Sequence, residues 1–333
     1  MLGLGLGLWQ LGANRNLVSP SGVAAGLFLD TRSKAAFVSG APSSLAAILN
    51  VVRATTAMDE YADGSVVSVG TNVARYGGGR GLLIERTATN SIRNSTMVGA
   101  VAGSPGTLPT NWNNTSLPTG LTRTISLGSS GGISYVDINY SGTTSSTATI
   151  GIAHETATQI AAATGQVWCT SAYLSIPQDD PALTTLSLVL RETDAVGAFV
   201  SNSASSNVYS TRATYNRKSY GGTLVGGVST AFVAPVIVTN SIASGTAINI
   251  TFRIGAPQIE SGPLATSFIP TSTVAVTRNA DQIKITGTPL TAGIGAGTAF
   301  TIFAEYEAVV SVDASYVYGL SNDASPSFNE SMY

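Results

Sequence analysis

The chain has 333 residues, of which 44% are hydrophobic but only 10% charged, against a usual charged share of about 25%. A formal net charge of −2, with 16 Lys and Arg residues scattered rather than clustered, excludes the basic stripe of a nucleic-acid binder and the polybasic patch drawn to anionic membranes. One cysteine, Cys169, excludes an intrachain disulfide framework, and no apolar run reaches the roughly 18 residues of a membrane-spanning helix.

The chain opens with "MLGLGLGLWQLG". Glycines at every second position weaken a helix by about 1 kcal/mol each relative to Ala. The positively charged start of a secretory signal is missing, since the first basic residue is Arg15. In a strand, the period of two places Leu2, Leu4, Leu6 and Leu8 on one face, with bare backbone opposite, and Trp9 follows. Such a ribbon needs a partner, and we expect Leu2, Leu4, Leu6, Leu8 and Trp9 to act as an assembly anchor that adds to another subunit's sheet.

A loop-rich connector follows. In "SSLAAILNVVRAT", Ser44 can cap a short helix while Val51 and Val52 favour a strand, and the pattern leaves both open. "DEYADGSVVSVG" predicts a hairpin turning at Asp63-Gly64, and "YGGGRGLLIER" a glycine hinge before a further strand. From about residue 90 onward, short β-branched or aromatic stretches alternate with Gly, Pro, Asn and Ser, including "GISYVDINY", "GQVWCTSAYLSI", "TTLSLVLRET" and "TAINITFRIGAPQIE". The one helix predicted there covers His154 to Thr164, "HETATQIAAAT", and two strands flank a turn at Asp194 to Gly197. Beyond Pro270, "DQIKITGTPL" and "GTAFTIFAEYEAVVSV" read as strands again.

This texture predicts an all-β protein built around an antiparallel jelly-roll sandwich. The expected organisation is an extended N-terminal anchor over 1–29, a small β-module over 30–90, the jelly roll over 91–272, and a short C-terminal β-unit over 273–333.

Two stretches are more specific than the texture. Arg53-Ala54-Thr55, Ala62-Asp63-Gly64, Asn72 to Tyr76 and Gly81 to Glu85 occur in order in the first, and Gly255 to Glu260, Ala265 to Thr271 and the "TRNAD" connector in the second. The pairing resembles a group of bacteriophage virion proteins, tail- or fibre-associated, that carry a carbohydrate-binding-module-like jelly roll. In that group a laminin-G/concanavalin-like sandwich commonly follows, and "FTIFAEYEAVV" looks like its first strand. The resemblance implies a structural, non-enzymatic virion component: a tail fibre, minor tail or head-fibre protein. Its partners would be other virion proteins and further copies of itself, a trimer foremost, with host surface polysaccharide as a secondary contact; neither nucleic acid nor membrane insertion is expected. A carbohydrate-binding receptor-recognition protein or a glycan-active enzyme is the alternative.

The residue-level search for chemistry yields little. His154 is the only histidine, so a transition-metal or Ser-His-Asp site has almost no material, and a structural or surface role is expected. Cys169, in an alternating strand, reads as a buried inert thiol rather than a reactive one. Glycoside hydrolysis needs two carboxylates. The pairs Asp179/Asp180, Glu192/Asp194 and Glu305/Glu307 are the candidates, each read first as turn or surface residues. No cofactor is expected; a structural Ca²⁺ of the kind held by jelly-roll sugar-binding modules is a minor expectation, with no D-x-D-x-D-G loop to mark it. Trp112, flanked by Asn111 and Asn113 in "PTNWNNTS", is the candidate carbohydrate-binding residue, with Tyr135, Tyr140, Tyr215 and Tyr220 behind it. Trp112 reads also, and first, as a plug closing the end of the sandwich, and Trp168 as core.

Overall fold

In the computed structural model, residues 10–11, 17–18, 27–39, 41–78, 81–203, 207–209 and 212–285 are described. Leu2 to Leu8, Trp9 and the Glu305/Glu307 pair lie outside the described residues. The chain forms two compact units, each gathered from separate segments: residues 56–68 and 86–280 make the larger, and 1–55, 69–85 and 281–333 the smaller.

Period-two alternation builds the larger unit. Its ten long-range strands are β1 (Asn113–Ser116), β2 (Leu121–Ser130), β3 (Ile133–Thr143), β4 (Gly151–Ala153), β5 (Val167–Gln178), β6 (Leu186–Thr193), β7 (Phe199–Ser203), β8 (Asn216–Thr223), β9 (Phe232–Thr239) and β10 (Ala247–Ser261). They form two five-stranded antiparallel sheets, in the orders β1-β4-β9-β6-β7 and β2-β3-β10-β5-β8. In β3, Val136, Ile138 and Tyr140 are buried, and they pair with Ile254, Phe252 and Ile250 of β10. Between them Asp137 and Asn139 point the other way, opposite Arg253 and Thr251. Across the sandwich, Leu186, Leu188 and Ile237 complete one continuous apolar core. Each fully buried Leu, Ile or Phe contributes about 1.5–3 kcal/mol of transfer free energy, so the core dominates the stability of this unit. The expected all-β antiparallel sandwich is the observed architecture.

The "ADG" hairpin forms as read, with strands at Ala57–Glu60 and Val66–Val69. The Asp63 carboxylate accepts from the Ser65 backbone N–H at 2.9 Å and from its hydroxyl at 2.6 Å, while Gly64 takes φ +83°. Met58 and Val66 pack with Ile133, Tyr173 and Phe268 in a satellite cluster.

In the smaller unit, strands Leu27–Asp30, Ala35–Val38 and Ala41–Ser44 pair in sequence. A single helical turn, Leu45–Ile48, follows at once, its N-terminus capped by the Ser44 hydroxyl, which accepts from the Ala47 N–H at 3.2 Å. Strand Leu49–Val52 then pairs with Gln282–Ile285. Both readings of "SSLAAILNVV" are therefore realised in succession. Buried Ala36, Leu45 and Ile48 form this unit's apolar cluster. Just after the Leu/Gly ribbon, Gln10–Leu11 pairs with Leu17–Val18.

The helix expected over His154–Thr164 does not form. Its backbone groups are taken across strands instead: the His154 N–H donates to Pro235 O, the Ala162 N–H to Ala231 O, and Ala161 bridges Phe232. His154 and Glu155 are both fully buried, and tertiary pairing overrides a helix propensity already weakened by three threonines.

Candidate functional site

The turn that leads into β1 divides the three residues expected to bind carbohydrate. Trp112 turns inward and is 6% exposed; its Nε1–H donates to Asn94 O at 3.0 Å. Its ring lies 4.5 Å from that of His154 at an interplanar angle of 55°. A sugar-stacking platform needs an open aromatic face, so Trp112 is corrected to the end-plug of the core. Asn111 holds the turn before the strand at φ +73°. Asn113, one residue on, points to the outer face of the β1-β4-β9-β6-β7 sheet. Of the tyrosines, Tyr140 is buried and its hydroxyl accepts from Asn114 Nδ2 at 2.7 Å, and Tyr135 lies beneath the Arg253 guanidinium at 4.0 Å.

On that outer face Asn113 lines a shallow depression of about 180 Å³, together with Thr115, Glu155 and Arg191. Its floor is small: Ala153 of β4 and Ala234 of β9 stand where larger side chains would fill it. Glu155 is neutralised within the protein. The Arg93 guanidinium donates to it at 2.7 Å, and the backbone N–H groups of Arg93 and Thr156 at 2.9 and 2.8 Å. Among the described residues Arg191 has no such partner. Its guanidinium sits 4.8 Å over the ring of Phe199, which is 55% exposed, and burial pushes its pKa down. Sequence reading passed over Arg191, Thr115 and Phe199, because nothing in "RETD" or "GAFVSNS" distinguishes an arginine that lacks a partner from one that has one.

The carboxylate pairs are engaged elsewhere. Glu192 is buried and accepts from the Ser203 and Thr230 hydroxyls and the Val225 and Gly226 N–H groups. Burial opposes its charge, but those hydrogen bonds outweigh burial and hold its pKa below the ordinary value. Asp194 instead shapes its turn, accepting from the Val196 and Ala198 N–H groups. Asp179 pairs with Arg212 at 2.7 Å, and Asp180 accepts from the Ala182 N–H at 2.9 Å. Cys169 is buried, and burial raises its pKa to about 11, so the thiol stays protonated. No three His, Cys, Asp or Glu side chains converge on an ion site among the described residues.

The residues that carried the sequence resemblance meet in two buried networks. In the smaller unit, fully buried Arg53 and Arg75 both engage Asp281, Arg53 at 2.7 Å; Arg75 also pairs with Glu85 at 2.8 Å. Arg53 Nη2 further donates to Gly70 O at 2.7 Å, and its backbone N–H to Asn72 Oδ1 at 3.0 Å. In the larger unit, Asn90 donates to Ile269 O and accepts from the Ile259 N–H. Gln258 accepts from the Ile269 N–H at 2.8 Å, and Glu260 from the Thr266 N–H and hydroxyl at 2.8 and 2.6 Å.

A scan against protein-family models and a search of curated proteins each returned no match. Among solved structures, the chain is similar to the CBM22-1 xylan-binding domain from Paenibacillus barcinonensis Xyn10C, at 11% identity and a TM-score of 0.28 over 53% of this chain and 94% of that one. It is also similar to an exo-beta-agarase, at 11% identity and a TM-score of 0.29 over 54% of this chain and 26% of the agarase chain. Likeness at these scores carries no inference about ligand or activity; the sandwich rests on the strand pairing itself.

Proposed function

We propose that this chain is a non-catalytic structural protein of a bacteriophage virion, a tail-fibre, minor tail or head-fibre component that attaches through its N-terminal segment and projects the β-sandwich outward. One observation carries the reading. Most charged and amide residues of the two motif stretches (Arg53, Arg75, Glu85, Gln258, Glu260 and Asp281) hold the scaffold through largely buried networks instead of lining an open cleft. A motif made of load-distributing internal bonds suits a part whose role is mechanical. Uncharged Ser/Thr/Asn faces suit lateral packing of symmetric copies. Because fold alone does not establish function, the test is location: immunogold labelling of purified particles from the encoding genome is expected to decorate the virion, and unlabelled particles overturn the proposal.

Surface-glycan recognition is the second reading. The outer-face depression favours it, since polar side chains with no partner among the described residues stand there beside an exposed aromatic ring.

A further inference from the structure

We infer that the depression on the outer face of the β1-β4-β9-β6-β7 sheet binds a carboxylated sugar unit, with Arg191 clasping the carboxylate and Asn113 and Thr115 reading adjacent hydroxyls. The inference deepens the glycan-recognition reading and rests on it; it does not require the virion location.

The first observation is the isolation of Arg191. Every other arginine of the larger unit has an acceptor: Arg93, Arg212, Arg217 and Arg253 pair with carboxylates, while Arg86, Arg123 and Arg278 donate to backbone carbonyls. Arg191, half-buried, donates to no acceptor among the described residues and rests on the Phe199 ring. Its guanidinium is partly desolvated, which disfavours the cation and pulls its pKa down, yet its nitrogens are open to an incoming acceptor. An incoming anion relieves that penalty. The cation–π contact holds the guanidinium over the Phe199 ring, and a planar fork matches a carboxylate through two parallel N–H···O bonds.

The surroundings select a sugar. Asn113 and Thr115 line the same hollow, and neither side chain hydrogen-bonds to a protein group among the described residues. An amide and a hydroxyl supply donors and acceptors suited to ring hydroxyls; an acidic peptide side chain would use Arg191 and leave both unmatched. Glu155 does not repel the ligand, because Arg93 compensates it. At about 180 Å³ the hollow is smaller than the roughly 300–1,000 Å³ of drug-sized sites, which suits one sugar ring of a longer chain lying across the sheet.

The test uses the full chain in NMR or calorimetric titrations with four probes: a galacturonate oligosaccharide, its methyl ester, a neutral galactose oligosaccharide and oligoglutamate. The uronate is expected to bind in the micromolar to millimolar range, and the ester and neutral sugar at least about 10-fold more weakly, the loss expected for a charge-assisted pair. Arg191→Gln is expected to cause a similar loss, and Arg191→Lys, which keeps charge but not the fork, an intermediate one. Asn113→Ala provides a second readout that leaves Arg191 in place. No binding of any probe overturns both this inference and the glycan reading. Equal binding of neutral and acidic sugars retains the glycan reading and overturns the carboxylate. Oligoglutamate binding as tightly as uronate overturns the sugar, and uronate binding unchanged in Arg191→Gln overturns the site.

Discussion

Single residues show where polar chemistry has been placed inside this protein. His154 is fully buried, neither ring nitrogen has a hydrogen-bond partner among the described residues, and burial lowers its pKa from 6.5 to about 3. The unfolded chain therefore takes up a proton between pH 6.5 and 3 that the native state refuses. Stability is complete above pH 6.5 and falls, as pH drops through that window, by about 1.4 kcal/mol per pH unit at most. His154→Leu is expected to flatten thermal stability across the window and to leave stability at pH 7 equal or higher, since an orphaned buried polar atom costs about 1–3 kcal/mol. A variant whose melting temperature keeps the wild-type pH slope excludes His154 as the cause. Asp281 is the opposite case, a buried carboxylate that two buried arginines require. Asp281→Ala leaves Arg53 without its carboxylate and Arg75 with Glu85 alone, and is expected to cost about 3–5 kcal/mol in urea denaturation. Arg253→Ala at the partly exposed Asp137 pair is expected to cost about 1 kcal/mol or less for the lost ion pair.

Elements follow local rules wherever turn chemistry and alternation suffice. The β2–β3 hairpin turns on Gly131-Gly132, both at positive φ (+57° and +81°), the two-residue geometry that matches strand twist. Gly64 and Gly132 have nearly the same φ, +83° and +81°, but different surroundings. A Cβ on Gly64 meets nothing within 4 Å, whereas one on Gly132 falls 2.2 Å from Val66 O. Gly64→Ala is expected to cost only the left-handed backbone penalty of about 1–2 kcal/mol. Gly132→Ala should cost distinctly more, because a backbone carbonyl must move as well; equal urea midpoints for the two variants would contradict that. The Asp63-Gly64 hairpin, the Asp194–Gly197 turn and the Ser44 cap were all legible because each depends on a few neighbouring residues. The missing helix at His154–Thr164 was not, because the groups that extend it, Pro235, Ala231 and Phe232, lie more than 60 residues away in sequence.

At the scale of the whole molecule, the proposal places the opening Leu/Gly ribbon in assembly. Deleting residues 1–11 is expected to leave the sandwich folded, with unchanged circular dichroism and melting of the larger unit, while removing the chain from assembled particles. Normal incorporation of the truncated chain refutes the anchor. Light scattering of the intact chain is expected to give a homo-oligomer, with three copies foremost; a monomer at all concentrations refutes the symmetric-packing part of the proposal.

Composition, alternation and turn residues by themselves determined that this is an all-β antiparallel sandwich with little charge on its faces, because those signals act between neighbours along one strand. Only the tertiary structure decided which polar residues meet. The turn into β1 sent Trp112 inward, and strand order placed Asn113 and Arg191, with β4 and β9 between them, around one depression. The fold also brought Arg53, Arg75 and Asp281 together from positions more than 200 residues apart. Pairing of this kind depends on the registers of several strands at once, and no local pattern of residues encodes it.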